Sequence, residues 1–187
     1  MSKRSGDTSE RILSIARELF GSRGYTGTSI ADIATELGTT PAALYYHFRS
    51  KADILNALVA EPLAAYVRLA DRTVAGKTAP AELLQAFLDF TVETRTLLPI
   101  VGSDPSVRAI IDPQLPRRPD EIFAALLAGL AGPRPSRAGK IRAQAAFAVV
   151  KEATVGAMGS AHDSLRPADR AEILAAALRA LNPPSDG

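Results

Sequence analysis

The chain has 187 residues, of which 47% are hydrophobic and 22% charged, and its formal net charge at pH 7 is +2. This length allows one or two domains with a buried core, and so small a net charge does not by itself indicate a nucleic-acid partner. The absence of cysteine excludes disulfides and thiolate metal sites. No apolar run approaches the roughly 20 residues that a membrane span needs, and the first residues lack the apolar segment of a signal peptide, so we expect a cytoplasmic protein without membrane contact.

The first predicted helix follows a short polar segment. We expect residues 1–6 to be disordered, and Asp7 or Thr8 to cap a helix that ends near Arg23. Because the apolar residues of this helix recur at intervals of three and four, they lie on one face, which should pack against a partner. They are Ile12, Ile15, Ala16, Leu19 and Phe20.

Residues 29–51 predict two short helices joined by a tight turn. Ser29 and Asp32 have the spacing of a capping box, which satisfies free backbone N–H groups at the start of a helix. Gly38 is placed to end that helix in the left-handed conformation, and Thr40 followed by Pro41 suits the start of the next one. The first of the two helices also carries an apolar stripe, formed by Ile30, Ile33, Ala34 and Leu37.

The second of these helices, over about residues 41–48, has two different faces. Leu44 and the phenylalanine four residues on share the face expected to be buried. Successive residues turn by about 100°, so Tyr45, Tyr46 and His47 cannot all join that face. An aromatic and polar trio followed by basic residues suits a surface that meets phosphate oxygens and base edges. The alternative is that one tyrosine belongs to the core and the other two side chains are solvated.

The motifs of this segment resemble a known family. The run from Glu10 to Leu58, and in particular the stretches TSIADIATELG and LYYHFRSKADIL, resembles the amino-terminal helix-turn-helix of the TetR family of transcriptional regulators. The resemblance is close over the first third of the chain, and the remainder is similar only as a run of helices of suitable length. It implies that the second helix of the motif enters the major groove of DNA.

The resemblance also implies roles for individual residues. Polar residues are common in the family where this chain has three apolar ones at the start of the second helix. We therefore expect base reading to depend on Tyr46, on thymine methyl contacts and on DNA shape. The implied phosphate contacts are Tyr45, His47 and Lys51, to which we add Ser29 at the start of the first helix of the motif. The implied groove-facing residues are Thr39, Thr40, Pro41, Ala42, Ala43 and Tyr46.

The rest of the chain predicts further helices and no strands. Ser50 and Asp53 form a second capping box, and Pro62 should bend the helix that begins there. Five more helices follow, over about residues 80–98, 105–111, 120–131, 136–159 and 167–181. The expected fold is all-α with about nine helices, in which a three-helix helix-turn-helix DNA-binding domain over residues 1–50 precedes a helical effector-binding and dimerisation domain over residues 51–187.

A small-molecule effector is expected to bind within the carboxy-terminal helices. Polar side chains on an apolar helix face cost free energy unless paired, so they either find protein partners or line a cavity. The alternative for each candidate is an ordinary core position, with threonine hydroxyls bonded back to their own helix. The candidates suit a largely apolar ligand with one or two polar groups, and they are Tyr66, Phe87, Phe90, Thr91, Thr94, Phe147, Lys151 and Met158.

The last two long helices predict a homodimer. The first is rich in alanine and glycine between Ala143 and Gly159, and the second is apolar from Ile173 to Leu181. Both are apolar over more than one face, which indicates burial in the chain's own core and against a second copy. As in the family that the chain resembles, we expect a two-fold interface of four helices, and the alternative is a self-contained bundle.

No catalytic or metal-binding constellation is recognisable. His162, Asp163 and Ser164 are neighbours in a loop, and such neighbours do not converge as the members of a catalytic triad do. Two histidines without cysteine give no metal pattern, and the glycines have neither phosphate-loop nor dinucleotide-binding spacing. We therefore expect no enzyme, no metal and no cofactor.

Together these features predict a sequence-specific DNA-binding transcriptional regulator. More narrowly, they predict a homodimeric repressor of TetR type that binds a palindromic operator and is released by a small-molecule effector. The alternatives are a constitutive or protein-regulated DNA binder without an effector, and a small helical enzyme, which would need a pocket with converging titratable groups.

Overall fold

The computed structural model describes residues 2–76, 78–94, 104–158 and 164–182, and for residues 2–6 the backbone alone. Within these ranges the chain is all-α and has no strand, which confirms the predicted fold class. No helix in the described part of the chain is both long enough and apolar enough to cross a membrane. The described ranges contain nine α-helices and one 3₁₀ turn (Asp112–Gln114): α1 (Ser2–Arg23), α2 (Ile30–Leu37), α3 (Pro41–His47), α4 (Lys51–Val74), α5 (Pro80–Thr94), α6 (Pro105–Ile111), α7 (Pro119–Ala131), α8 (Arg137–Ala157) and α9 (Pro167–Leu181).

The first helix is longer than predicted. α1 begins at Ser2, so the expectation of disorder is wrong for residues 2–6, and Met1 lies outside the described residues. This segment contains no proline, and once a helix has formed, each added residue gains a backbone hydrogen bond without a new nucleation cost. The helix therefore extends beyond the caps predicted at Asp7 or Thr8.

The other helix starts lie within one residue of their predicted positions. For α6 a cap explains the agreement, since the Asp104 carboxylate accepts the N–H of Ser106 at 2.9 Å. α7 and α9 have no side-chain cap, and each begins at a proline. The predicted ends of α5 near Leu98 and of α8 near Gly159 lie outside the described residues. His162 and Asp163, two of the three loop neighbours considered as a catalytic triad, also lie outside the described residues.

The helices form two compact units. The chain first passes from one unit to the other inside α4, and it returns to the first unit between α5 and α6. The first unit takes in the described residues of 1–61 and 96–115, and the second those of 62–95 and 116–187. By packing, the first unit thus includes α6 and the start of α4, which lie beyond the predicted boundary at residue 50. Pro62 lies inside α4 at this division, and the bend expected there stays a prediction.

Each unit has its own apolar core. In the second unit α8 and α9 pack along each other, and α5 and α7 pack on α8. The first unit buries one face from each of its helices, so that α3 is held by the side opposite its aromatic residues. Its fully buried side chains include Ile12, Phe20, Ile33, Leu44, Ile54, Leu55 and Ile111, and those of the second unit include Leu83, Leu84, Leu88, Ile122, Leu126, Val150 and Ala177.

Candidate nucleic-acid interface

The two helices of the predicted motif begin and end at their own capping residues. The N–H of Asp32 donates to Ser29 Oγ at 3.1 Å, and the N–H of Ser29 donates to the Asp32 carboxylate at 2.7 Å, which completes the capping box. The Ser29 hydroxyl also donates to this carboxylate, and the bonds from the hydroxyl and from the Ser29 N–H hold the pKa of the Asp32 carboxyl below its usual range. Gly38 ends α2 with φ of 73°, and the hydroxyl of Thr40 accepts the N–H of Ala43 at 3.3 Å. The turn between α2 and α3 is therefore encoded locally, as predicted.

α3 buries one side and exposes the other. Leu44 is 1% exposed, whereas Tyr46 is 85% exposed and Tyr45 is 53% exposed. Neither tyrosine belongs to the core, so the alternative that one of them does is wrong. All of the residues with an implied groove-facing role are exposed, namely Thr39, Thr40, Pro41, Ala42, Ala43 and Tyr46.

An open groove of about 520 Å³ lies at the start of α2. Three of the four expected phosphate ligands, Ser29, Tyr45 and Lys51, line it together with the turn between α1 and α2. The start of a helix offers backbone N–H groups and partial positive charge, both of which favour an anion. The carboxylate of Asp32 lines the same groove, and its negative charge opposes the binding of an anion there.

The ammonium group of Lys51 is already engaged within the protein. Its Nζ donates to the carbonyls of Tyr25 and Thr28, each at 2.8 Å, and lies 4.1 Å from the centroid of the Tyr25 ring. Desolvation lowers the pKa of Lys51, and the negative charge of Asp104 acts in the opposite direction. The sequence did not predict this role, because residue types do not show which backbone carbonyls will lie near a lysine in the folded chain. Lys51 thus ties the start of α4 to the turn that precedes α2.

This geometry predicts that Lys51→Met weakens the fold as well as DNA binding. The methionine keeps most of the apolar stem but removes a charged donor from two carbonyls, so the free energy of unfolding should fall by about 1 kcal/mol. If the third N–H also reaches a phosphate, the slope of log affinity for duplex against log salt concentration should become smaller by about one. Urea melts and duplex titrations at several salt concentrations measure both effects. Lys140→Met, at an exposed lysine of α8, is the control, and equal stability of the two variants would contradict the structural role.

His47 lies apart from the groove and has a partner on α1. Its Nδ1 is 3.1 Å from the hydroxyl of Ser9, and its ring meets Tyr46 edge-on at 5.4 Å between centroids. Ser9 is 38 residues away in the chain, and no spacing rule could have linked the two. His47 is therefore the one implied phosphate ligand that the structure does not bring into the groove.

Four of the effector candidates form an aromatic group in the second unit. The rings of Tyr66 and Phe90 stack with centroids 4.6 Å apart, and those of Phe87 and Phe147 with centroids 3.5 Å apart. Phe123, which the sequence did not single out, meets Phe147 edge-on at 4.9 Å. Burial raises the pKa of Tyr66 to about 12, so its phenol is neutral near pH 7.

The other four effector candidates lie outside this group of stacked rings. The hydroxyls of Thr91 and Thr94 donate to carbonyls of their own helix at 2.8 and 2.6 Å, which is the alternative considered from the sequence. Met158 is buried, whereas Lys151 is exposed and pairs with Glu152 at 3.0 Å. The exposure of Lys151 does not support a role in a buried pocket.

These features define a class of protein. A capped helix pair with a tight turn displays an aromatic, polar surface on its second helix, and a groove suited to anions lies beside the first. This is the architecture of a helix-turn-helix DNA-binding protein, in which the second helix lies in the major groove.

Comparison with known proteins shows which family the amino-terminal part of the chain is similar to. Residues 12–58 match the family model described as "Bacterial regulatory proteins, tetR family". The chain is 40% identical over 85 residues to the HTH-type transcriptional regulator LmrA of Bacillus subtilis, and the match covers 44% of this chain and 45% of LmrA. Residues 12–58 thus have the sequence of the amino-terminal DNA-binding domain of the TetR family of transcriptional regulators. The matched relatives are named as transcriptional regulators, which agrees with the prediction that this chain is not an enzyme.

Solved structures extend the likeness over the whole fold. The crystal structure of Mycobacterium smegmatis AmtR has a TM-score of 0.63 at 28% identity, with 92% of this chain and 85% of AmtR covered. SmeT in complex with triclosan has a TM-score of 0.54 at 22% identity, with 93% of this chain and 91% of SmeT covered, and it supports the fold alone. The curated relative LmrA, in contrast, is matched over less than half of its length.

Proposed function

We propose that this protein is a homodimeric repressor of TetR type that acts in the cytoplasm on a palindromic operator and is released by a small-molecule effector. The observation that carries the proposal is the exposed side of α3, where Tyr46 is 85% exposed beside small apolar residues. So large an aromatic surface on a short, firmly capped helix is unusual unless a partner covers it. In the proposal the groove-facing residues are Thr39, Thr40, Pro41, Ala42, Ala43 and Tyr46, and the phosphate contacts are Ser29, Tyr45, His47 and Lys51.

The two exposed tyrosines of α3 are assigned different tasks. Tyr45 lines the groove at the start of α2, which favours a phosphate contact. Tyr46 is the more exposed and lies outside that lining, which favours base edges. Small neighbours such as Ala42 and Ala43 leave room for thymine methyl groups and allow α3 to approach the bases closely.

Exchange of each tyrosine for alanine should separate these tasks. Tyr46→Ala should lower affinity for a site selected from random duplexes about tenfold and leave affinity for random duplex almost unchanged, because base contacts discriminate by about 1–3 kcal/mol. Tyr45→Ala should lower both affinities alike, since phosphate contacts carry no sequence information. Titrations of both variants against both duplexes measure the difference. Equal losses on the two duplexes for Tyr46→Ala would remove it from base reading.

A second copy of the chain is the proposed partner of α8. Ile141 is 60% exposed and Val155 is 41% exposed. The exposed Ala145 and Ala148 lie between them at intervals of four and three residues, which is the spacing of a helix seam. Two-fold pairing of α8 and α9 would cover this stripe and hold two α3 helices for successive major grooves, about 34–36 Å apart.

The aromatic group of the second unit is the proposed effector site. Tyr66, Phe87, Phe90 and Phe147 offer stacking surfaces, and the neutral phenol of Tyr66 is a polar group for a largely apolar ligand. SmeT has been crystallised with triclosan, so a protein of this fold can hold such a compound. Thr91 and Thr94 stay in the candidate set because they follow Phe90 on α5, and Met158 because it is buried. Lys151 is the weakest member.

An anchor between α6 and the DNA-binding helices offers a route for release. The hydroxyl of Thr26, in the turn before α2, donates to the carboxylate of Asp104 at 2.8 Å, and Asp104 also caps α6. α6 follows α5 in the chain, so a displacement that begins in the second unit could reach this turn through covalent connection. An effector can shift the equilibrium only by its differential affinity for the two states.

The proposal is tested by a ligand screen joined to a DNA assay. A compound that raises the melting temperature of the chain should also lower its affinity for the selected palindrome. Compounds that stabilise the protein without affecting DNA binding, together with tight constitutive binding, would favour the alternative of a regulator without an effector. Transcription in vitro from a promoter that carries the site distinguishes a repressor from an activator.

A further inference from the structure

We propose that Ser9 is a positioning residue for DNA binding, whose hydroxyl orients the His47 ring so that Nε2 presents an N–H group to a DNA phosphate. The inference rests on the proposed function, because the phosphate contact of His47 belongs to that proposal. Ser9 itself lies on α1, outside the helix-turn-helix, and nothing in its sequence context marks it.

The contact joins two elements that are far apart in the chain. Ser9 is half-buried in the first turns of α1, and His47 is the last residue of α3. The 3.1 Å between the serine hydroxyl and Nδ1 exists only when these two helices are packed in one core. Ile12, one turn beyond Ser9 on α1, and Leu44, one turn before His47 on α3, are both fully buried and fix this packing.

The hydrogen bond with Ser9 involves Nδ1 of the His47 ring and leaves Nε2 available for another partner. Nδ1 and Nε2 lie on different sides of the imidazole, so a ring held through Nδ1 turns Nε2 away from α1. Within the described part of the chain, no hydrogen bond involves Nε2. The edge-on contact with Tyr46, at 5.4 Å between centroids, limits rotation of the ring from the side of α3.

A serine hydroxyl suits this task because it can both donate and accept. When it donates to Nδ1, the neutral ring carries its proton on Nε2. When the ring is protonated, Nδ1–H donates to the hydroxyl and Nε2 again carries a proton. In both forms Nε2–H is the donor that a phosphate oxygen requires, and the nitrogen that carries the proton is set by the bond that the other nitrogen makes. The same hydroxyl can also accept from Nδ1–H of a neutral ring, and in that tautomer Nε2 could not donate, so we assign the donor of this hydrogen bond to Ser9.

The position of His47 explains why orientation matters. It is the last residue of α3, where backbone constraint on the side chain is weakest, and a solvated ring there would divide its time among several rotamers. A hydrogen bond to phosphate contributes most to affinity when its donor already points toward the phosphate, since little side-chain conformational entropy is then lost on binding. Phosphate contacts from Tyr45 and His47, both in the second half of α3, would fix how the helix lies in the groove.

The first test observes the ring directly. Proton–nitrogen correlation spectra of the imidazole rings distinguish the two neutral tautomers and the protonated form, and His162→Gln leaves a single histidine in the spectrum. In the full-length protein bound to a random duplex of about 30 base pairs, long enough for two half-sites, we expect His47 to carry a proton on Nε2. In Ser9→Ala the ring should populate both tautomers in the free protein. A ring that carries its only proton on Nδ1 in the complex would overturn the inference.

The second test measures affinity for the same random duplex. Ser9→Ala should weaken binding about three- to tenfold, the effect of one hydrogen bond, and Ser9→Thr, which keeps the hydroxyl, should restore it. In a His47→Gln background, Ser9→Ala should have no further effect, because the two residues act through one contact. Ser14→Ala, at an exposed serine on another face of α1, is the matched control.

The outcomes separate a positioning role from a structural one. Equal duplex affinity of Ser9→Ala and the wild type would overturn the inference and leave the proposed function standing. So would a loss that persists in the His47→Gln background, since this would indicate damage to α1 packing, which thermal melts would also register. A wild-type protein that binds no duplex would overturn the proposed function, and the inference with it.

Discussion

Gly27→Ala is expected to cost at least as much DNA affinity as the loss of an exposed tyrosine on α3. A Cβ at this position would lie 2.3 Å from the carbonyl oxygen of Arg23, which is far inside van der Waals contact. Because the obstacle is backbone, no rotamer change can relieve it, and the turn between α1 and α2 must open. Overpacking of this kind costs about 1–3 kcal/mol of folding free energy.

The consequence for DNA binding follows from what this turn holds in place. The buried hydroxyl of Thr28 donates to the carbonyl of Gly24 at 2.9 Å, and Lys51 donates to the carbonyls of Tyr25 and Thr28. All of these acceptors lie within the turn that Gly27→Ala would open. The start of α2 and the groove for phosphate move with it, so duplex affinity should fall at least about tenfold, as expected for a lost contact between a charged group and its partner.

The control for this effect is a glycine-to-alanine exchange at a position where the added Cβ has room. At Gly139, in the first turn of α8, a Cβ would lie 3.5 Å from the Ser136 hydroxyl, an ordinary contact. Gly139→Ala should therefore leave duplex affinity unchanged and stabilise the helix slightly. Fluorescence anisotropy with a labelled duplex and thermal melts of both variants provide the readouts. If Gly27→Ala binds and melts like the wild type, this turn does not set the position of α2.

The local parts of the fold could be predicted from the sequence because their causes are local. The capping box of Ser29 and Asp32, the left-handed Gly38 and the Thr40 cap each act within four residues, and each is found in the structure. The exposure of Tyr46 followed from the burial of Leu44 on the opposite side of the same helix. Helical period and capping chemistry are therefore enough to predict which side of α3 is exposed, and this is the surface proposed to bind DNA.

The parts that could not be predicted depend on contacts between distant residues or with the backbone. The carbonyl acceptors of Lys51 and the Ser9 hydroxyl beside His47 become partners only through tertiary packing. Both alternatives for Thr91 were compatible with the same helical pattern, and only the observed bond to the carbonyl of Phe87 distinguishes them. Local pattern thus identified the helices and their faces, whereas the partners that position the proposed phosphate ligands required the folded chain.

Ile141→Glu is expected to convert the protein to a monomer and to abolish tight operator binding. Ile141 is 60% exposed in the single chain, so the exchange should not disturb the core of the second unit. In a two-fold dimer each copy would bring its glutamate into the same seam, where a buried, unpaired charge costs about 2–5 kcal/mol. The dissociation constant of the dimer should therefore rise about a hundredfold or more. Each monomer would then hold a single α3, and the selected palindrome would lose its advantage over a half-site.

Val74→Glu provides the matched control for this exchange. Val74 is 66% exposed at the end of α4, so the change in charge and in apolar surface is similar, but it lies outside α8 and α9. Sedimentation velocity should find a dimer for the wild type and for Val74→Glu, and a monomer for Ile141→Glu with an unchanged melting transition at low concentration. The seam on α8 is refuted if Ile141→Glu remains dimeric, whereas a wild-type monomer would refute the homodimer itself. A monomeric Ile141→Glu that still prefers the palindrome to a half-site would separate dimerisation from operator recognition, against the arrangement proposed above.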